Sequence, residues 1–265
     1  MPGSLSETSR SLIEVSHVCT RFGTAVVHED VSLTIREGEV FGIAGGNGCG
    51  KSTLMREIIR LQNPTSGSIR ILGQEHGRMD REHMRWLHQR CGVMFQHGAL
   101  FSSLTVIENV AVPLREHSFL SKELIRQTAM LKLALVGFPL DSASKYPNEL
   151  SGGMRKRAAL ARAISLDPVV LFLDEPTSGL DPISAAAFDE LTQRLKPLLG
   201  LTIVMVTHDL DSLWRVADRV AVLGQGKVLG IGTMEELSGF EHPVIREYFH
   251  GPRGRAAREQ AWNQR

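Results

Sequence analysis

The chain has 265 residues, 42% of them hydrophobic, enough for one large or two small globular domains with a sizeable core. Lys and Arg number 30 against 29 Asp and Glu, a formal net charge of +1, so nothing global points to nucleic acid or to an anionic membrane surface. Cys19, Cys49 and Cys91 lack metal-like or redox spacing and exclude a disulfide framework. No signal-peptide pattern opens the chain and no run approaches the roughly 18 apolar residues of a membrane span, so any membrane role is borrowed from a partner.

Met1 to about Ser11 is polar and Ser-rich and reads as a flexible terminus. From Leu12 to Ile35 the apolar residues alternate loosely, as antiparallel strands with one covered face would. Phe22, followed by Gly23, falls between them; it can stack on an adenine or serve as plain core, and the pattern leaves both open.

The apolar run Val40 to Ala44 then reads as a buried strand, and Lys51 to about Gln62 as a helix. Between them Gly45-Gly46-Asn47-Gly48-Cys49-Gly50-Lys51-Ser52-Thr53 fits G-x-x-x-x-G-K-[ST], a phosphate-binding P-loop in its required strand–loop–helix context. Its glycines let consecutive N–H groups and the helix N-terminus point at an anion. Lys51 supplies a point charge for the β- and γ-phosphates, and the Ser52 hydroxyl is placed to ligate Mg²⁺.

Asn63 to Gly67 is a turn cluster, and Ser68 to Leu72 a short strand. Gln74 to Arg90 is polar; His76, His83 and His88 lack the spacing of a helical metal pair and read as solvated surface. Gly92 to Gln96 is a short strand that delivers Gln96, whose amide oxygen can meet a metal ion or a water. Thr105-Val106-Ile107-Glu108 is a capping box that starts one helix, and Ser121 to about Gly137 is a second, amphipathic one. Residues from about 97 to 165 are therefore expected to form a helical lobe inserted into an α/β core. Within that lobe Leu150-Ser151-Gly152-Gly153 precedes a helix beginning near Met154; Ser151 can cap it and the glycines leave N–H groups open to an anion.

Val169 to Leu173 is an apolar strand ending in Asp174 and Glu175. In a parallel sheet, strand carboxyl ends gather at the ligand, which sets both acids beside the P-loop. Asp174 is placed to hold Mg²⁺ through its water shell, and Glu175 to accept a proton from water aligned on the γ-phosphate. Asp181 caps a helix whose first residue is Pro182, and His208 follows the buried strand Leu201 to Thr207, where it can donate to the γ-phosphate or the water. A hairpin at 220–231 and a short helix capped by Thr233 close this part. From Gly251 the tail is basic and reads as flexible, with little function of its own.

In this order and spacing the P-loop, Gln96, Leu150-Ser151-Gly152-Gly153, Leu173-Asp174-Glu175-Pro176, Ser178-Gly179-Leu180-Asp181 and His208 resemble the nucleotide-binding subunit of ABC transporters over about 11–240. The resemblance implies an α/β P-loop ATPase of that type. Its mainly parallel core sheet carries an antiparallel β lobe and an inserted helical lobe over 12–240, and residues 241–265 form a C-terminal extension. It implies a head-to-tail homodimer, with ATP between the P-loop of one copy and the Ser151-Gly152-Gly153 loop of the other. Phe22 would face adenine, Gln96 would couple metal to a membrane subunit, Asp181 would cross the dimer interface and His208 would be the switch histidine. Met154 departs from the Gln that most of the superfamily has there, a change that leaves the phosphate-binding backbone intact.

Finer stretches, Phe95 to Phe101, Pro113 to His117, Leu150 to Arg157 and Val244 to Phe249, look like the ATPases of Mla (MCE-type) phospholipid transporters. That family implies a polytopic permease, an MCE-domain lipid-binding protein and a STAS-domain regulator, with the ATPase peripheral on the cytoplasmic side of a bacterial inner membrane. Permease docking is expected near Gln96 to Ser103, where Ala99, Leu100 and Phe101 bring apolar surface into a loop. Two rivals remain. One is a transport ATPase for another cargo, such as a metal or an amino acid; the other is a non-transport ATPase acting on ribosomes, DNA or cell-wall enzymes. Neutral charge and single-cassette length argue against the nucleic-acid version.

Overall fold

The computed structural model describes residues 10–250. The readings of the first nine residues and of the basic tail from Gly251 lie outside these. Three antiparallel strands open the fold: β1 (Ser11–Phe22), β2 (Ala25–Arg36) and, after the P-loop unit, β4 (Ser66–Ile71), which pairs with the far side of β1. Their inward residues Ile13, Val15, Val31, Ile35, Ile69 and Ile71 are buried, as the loose alternation in the sequence requires.

Strand β3 (Val40–Gly45) leads into α1 (Lys51–Ile58). That helix stops four residues short of the expected Gln62, because Arg60 enters the left-handed region at φ 58° and the N–H groups of Leu61 and Gln62 turn back to the Arg56 carbonyl. The two-residue β5 (Gln74–Glu75) follows β4, and α2 (Arg81–Arg90) comes next, a helix the polar composition of that stretch had concealed. Asp80 caps α2, its carboxylate accepting from the N–H groups of Glu82 and His83. His83 and His88 are exposed, as expected, but His76 is a correction to the solvated reading: it is 7% exposed and neither ring nitrogen has a hydrogen-bond partner. Burial, helped by Arg60, pushes its pKa down to about 4, so it sits in the core as a neutral ring.

After β6 (Cys91–Met94) come α3 (Val106–His117), α4 (Lys122–Leu135) and α5 (Gly152–Ala163), with the Thr105–Glu108 capping box and the Ser121 and Ser151 caps in place. Then follow β7 (Val170–Asp174), α6 (Pro182–Leu199), β8 (Thr202–Val206) and α7 (Leu210–Val216). The hairpin β9 (Arg219–Gly224) and β10 (Lys227–Gly232) and the helices α8 (Met234–Ser238) and α9 (Pro243–His250) complete the chain.

The strands form a 10-stranded sheet in the order β5-β4-β1-β2-β10-β9-β3-β8-β7-β6. From β9 through β3, β8 and β7 to β6 the pairing is parallel, and β7 and β8 are buried at every residue. This explains their unbroken apolar runs: both faces of a parallel sheet are covered. One core lies between the sheet and α3 to α6, another between the antiparallel strands, the sheet and α1. Fully buried side chains such as Phe41 and Phe172 contribute about 1.5–3 kcal/mol each by leaving water. The register Asp174↔Val206 and Ile43↔Val206 brings the ends of β7, β8 and β3 to one edge. Among the described residues no helix is long and apolar enough to cross a membrane.

Candidate functional site

A cavity of about 510 Å³ opens at that edge, lined by Val27, Asn47, Gly48, Gly50, Lys51, Ser52, Thr53, Gln96, Glu175 and His208. The P-loop forms its floor. Gly45 (φ 141°), Gly48 (φ 77°) and Gly50 (φ 95°) take conformations that L side chains rarely adopt. A Cβ on Gly45 would lie 2.3 Å from the Leu223 carbonyl oxygen, and one on Gly50 2.4 Å from His28 Nε2. The loop is thus closed against the protein behind it at Gly45 and Gly50, while Asn47, Gly48 and Gly50 to Thr53 line the cavity. Lys51, 7% exposed, donates from Nζ to the carbonyls of Gly45 and Gly46, both at 2.9 Å, which sets its charge across the mouth of the loop.

A support behind the loop is absent from any motif reading. His28, fully buried on β2, points Nε2 at the Gly50 carbonyl (3.2 Å) and Nδ1 at Thr20 Oγ1 (3.2 Å). Thr20 donates to the buried Glu57 of α1, whose other carboxylate oxygen is 3.3 Å from His28. Three side chains that look unrelated in the sequence tie β1, β2 and α1 to the last glycine of the loop. Only the adjacency of β1 and β2 to α1 could have revealed them.

The acidic end of β7 meets the loop directly. Ser52 Oγ donates to Asp174 Oδ1 at 2.9 Å; burial pushes the Asp174 carboxyl up, and this bond pulls it back. Glu175 has φ 47°, an unusual conformation for a non-glycine residue, and its N–H is held by the Val206 carbonyl at 2.8 Å. Its carboxylate faces His208 Nδ1 at 2.9 Å, and Thr207 Oγ1 approaches its other oxygen at 3.4 Å.

An oxygen-only pair of hydroxyl and carboxylate is the donor chemistry that a hard cation such as Mg²⁺ takes, with water and phosphate oxygens completing its shell. Among the described residues no group of three or more His, Cys, Asp and Glu could hold a metal ion by itself.

The remaining candidates are placed differently. Phe22 ends β1 at a hairpin tip, 52% exposed, and does not line the cavity; Val27 does. Cys49 lies half-buried in the loop. Ser151 caps α5, its Oγ accepting from the Met154 N–H at 3.3 Å, and Gly152 and Gly153 present the free N–H end of that helix. This loop lies beside Gly179 and Leu180, the nearest atoms to a Cβ on Gly152 at 3.9 and 3.7 Å. Asp181 caps α6, with its carboxylate on the Ser184 N–H (3.0 Å) and hydroxyl (2.6 Å). Residues 151–153 and 181 do not line this chain's own cavity.

A second, mostly apolar groove of about 280 Å³ is bordered by Ile59, Leu61, Val93, Pro113, His117 and Phe95, the residue before Gln96. Phe101, 51% exposed, stands near it with the Arg162 guanidinium 6.0 Å from its ring centre.

The sequence model of the ABC transporter family matches residues 28–178. The chain is 39% identical to the intermembrane phospholipid transport system ATP-binding protein MlaF of Haemophilus influenzae, over 92% of each chain. It is 40% identical to the probable ribonucleotide transport ATP-binding protein mkl of Mycobacterium tuberculosis, over 91% of this chain and 67% of that one. The fold superposes with a TM-score of 0.78 and 30% identity on the ATP-binding cassette MJ0796, solved as a post-hydrolysis dimer bound to ADP and Pi; the match covers 84% of this chain and 98% of that one.

Proposed function

The chain belongs to the ABC transporter family of ATP-binding subunits, and from that premise we propose that it hydrolyses ATP to power a permease that moves phospholipids between inner and outer membranes. The observation that carries the reading is the convergence on one cavity of Lys51, Ser52, Gln96, Glu175 and His208. The cargo rests on the MlaF relative, matched along 92% of its length; mkl, named for ribonucleotide transport and matched along 67%, keeps a different cargo as the alternative.

In this reading two copies face head to tail, each lending Ser151-Gly152-Gly153 and Asp181 to the ATP held on the other's P-loop. Lys51 and the loop N–H groups hold the β- and γ-phosphates. Ser52, Asp174 and Gln96 would hold Mg²⁺, which would offset the charge on the phosphate oxygens. Glu175 orients a water and takes its proton as the new O–P bond forms and the bridging bond to the β-phosphate breaks. His208 fixes the carboxylate through Nδ1 and can donate to the γ-phosphate through its other ring nitrogen. Phe22 at the hairpin tip stacks on the adenine. Fixed donors around the γ-phosphate supply most of the barrier reduction.

Exposed Phe101, with the apolar groove that reaches Phe95, supports docking of a permease segment near Gln96 to Ser103. The fuller assembly has the ATPase on the cytoplasmic face of a bacterial inner membrane with a polytopic permease, an MCE-domain protein and a STAS-domain regulator. The test is to tag the Glu175→Gln variant, extract it from native membranes in mild detergent with ATP and Mg²⁺, and identify what accompanies it. Recovery of those three partners is the expected result. An unrelated permease, ribosomes or a cell-wall regulator would keep the ATPase chemistry and discard the cargo.

A further inference from the structure

Lys156 lies on α5, just beyond the Ser151-Gly152-Gly153 loop, and is 7% exposed. Lysines are almost never this buried without partners. Here Nζ donates to two backbone carbonyls, Gln96 at 2.7 Å and Glu175 at 2.9 Å. Burial lowers the pKa of this ammonium, while the charges of Glu175 and Asp174 raise it.

What the ammonium holds is the one backbone position in the cavity that a side chain adopts reluctantly. Glu175 at φ 47° is left-handed without being glycine. Its backbone is held on both sides, the N–H by the Val206 carbonyl and the carbonyl by Lys156 at 2.9 Å and, more loosely, by the Ser178 N–H at 3.2 Å. Without the ammonium the carbonyl keeps only the longer, uncharged Ser178 bond, so the strained residue is freer to relax toward an extended conformation, which takes the carboxylate off His208. The same ammonium holds the carbonyl of Gln96, and it rides on the helix whose first turn faces the other copy's ATP in the dimer.

We propose that Lys156 is a positioning residue for hydrolysis. It locks Glu175 in its left-handed conformation and fastens Gln96 and α5 to it, so that the base, the loop beside the permease groove and the helix offered to the partner copy stay in one geometry. This rests on the reading of Glu175 as the base.

The test uses the full chain purified with the membrane partners it retains, as wild type, Lys156→Met, Lys156→Arg and Glu175→Gln. ATP turnover, ATP dissociation constants and amide hydrogen exchange are measured on each. Lys156→Met is expected to slow turnover at saturating ATP by about tenfold to a hundredfold while the dissociation constant stays within about threefold, as loss of a charged hydrogen bond used mainly in the transition state does. Exchange should rise at 96–98 and 175–178, and Lys156→Arg, which keeps donors for both carbonyls, should restore turnover and protection.

Unchanged turnover in Lys156→Met, loss of binding in proportion to turnover, or an Arg variant as slow as the Met variant would each overturn the proposal. Should Lys156→Met lose its cooperative thermal transition, Lys156→Leu, which likewise has no donor for either carbonyl, takes its place under the same criteria. Near-normal turnover of Glu175→Gln would remove the base itself, whatever the Lys156 variants do, and so separates the two failures.

Discussion

His208 Nδ1 lies 2.9 Å from Glu175 Oε1, although the two residues sit 33 positions apart at the ends of different strands. The parallel register Asp174↔Val206 produces this contact, since each residue is one or two steps beyond its paired strand end. A carboxylate so held is oriented before any water arrives. Glu175→Gln keeps the size and one acceptor oxygen but cannot take a proton, so it should bind ATP normally and lose roughly 10²–10⁴-fold in turnover. A steady-state assay on the reconstituted complex checks this, and near-normal turnover would remove Glu175 as the base.

The C-terminal helix reaches the same strand end from below. Tyr248 on α9 donates from its hydroxyl to the His208 carbonyl at 3.2 Å, while Ile245 and Phe249 are buried against Leu213, Val222 and Leu237. Burial pushes the Tyr248 hydroxyl well above its usual pKa, so it stays a donor at any ordinary pH. Tyr248→Phe should cost about 0.5–1.5 kcal/mol of stability, the net worth of one hydrogen bond. Phe249→Ala should cost about 3–5 kcal/mol, because it opens a cavity. Urea unfolding of the full chain distinguishes the two; equal losses would mean that α9 is held by something other than this packing.

Thiol chemistry should separate two of the cysteines. Cys49 and Cys91 are both half-buried, the first in the P-loop and the second at the start of β6, where desolvation pushes its thiol up to about 12 and leaves it little thiolate to react. Alkylation is therefore expected at Cys49 before Cys91, to block ATP turnover, and to be slowed by ATP. Mass spectrometry of labelled peptides alongside activity provides the check, and full turnover after quantitative labelling of Cys49 would refute it.

Much of this was legible because the informative residues carry local physics. The P-loop glycines, the unbroken apolar runs of β7 and β8 and the capping residues Thr105, Ser121, Ser151 and Asp181 act through their own backbone neighbours, and a string of letters preserves neighbours. Helix α2 was hidden because its exposed face leaves only Leu87 fully buried. His76 was misread because its burial comes from the surrounding fold and not from its polar flanks. The His28–Thr20–Glu57 support and the two carbonyls on Lys156 depend on contacts 8 to 60 residues apart, which no local pattern encodes. Lys156 in particular reads as part of a solvated basic run with Arg155 and Arg157 until α5 is packed against β6 and β7.

Asp189 gives the fold a pH dependence that can be isolated. It lies on α6, 1% exposed; its Oδ2 accepts from Ser212 Oγ at 3.0 Å, and Ser212 in turn reaches Asp209, the residue after His208. Burial first, then repulsion from Asp209 and Asp211, overcomes the Ser212 bond and Arg215 and raises its pKa from 3.8 to about 7. The folded state therefore keeps a proton that the unfolded chain has already released. The stability this contributes is complete below about pH 4 and is lost as pH rises through 7, on the order of 4 kcal/mol in all. Asp189→Asn keeps a neutral hydrogen-bonding group there and removes the titration. Its stability relative to wild type should accordingly climb by about 3 kcal/mol between pH 5 and pH 8, because every other titrating group is common to both proteins. Denaturant unfolding of the two at both pH values measures that difference directly; a flat difference would place the Asp189 carboxyl back in the ordinary range and leave its burial compensated by Ser212 and Arg215.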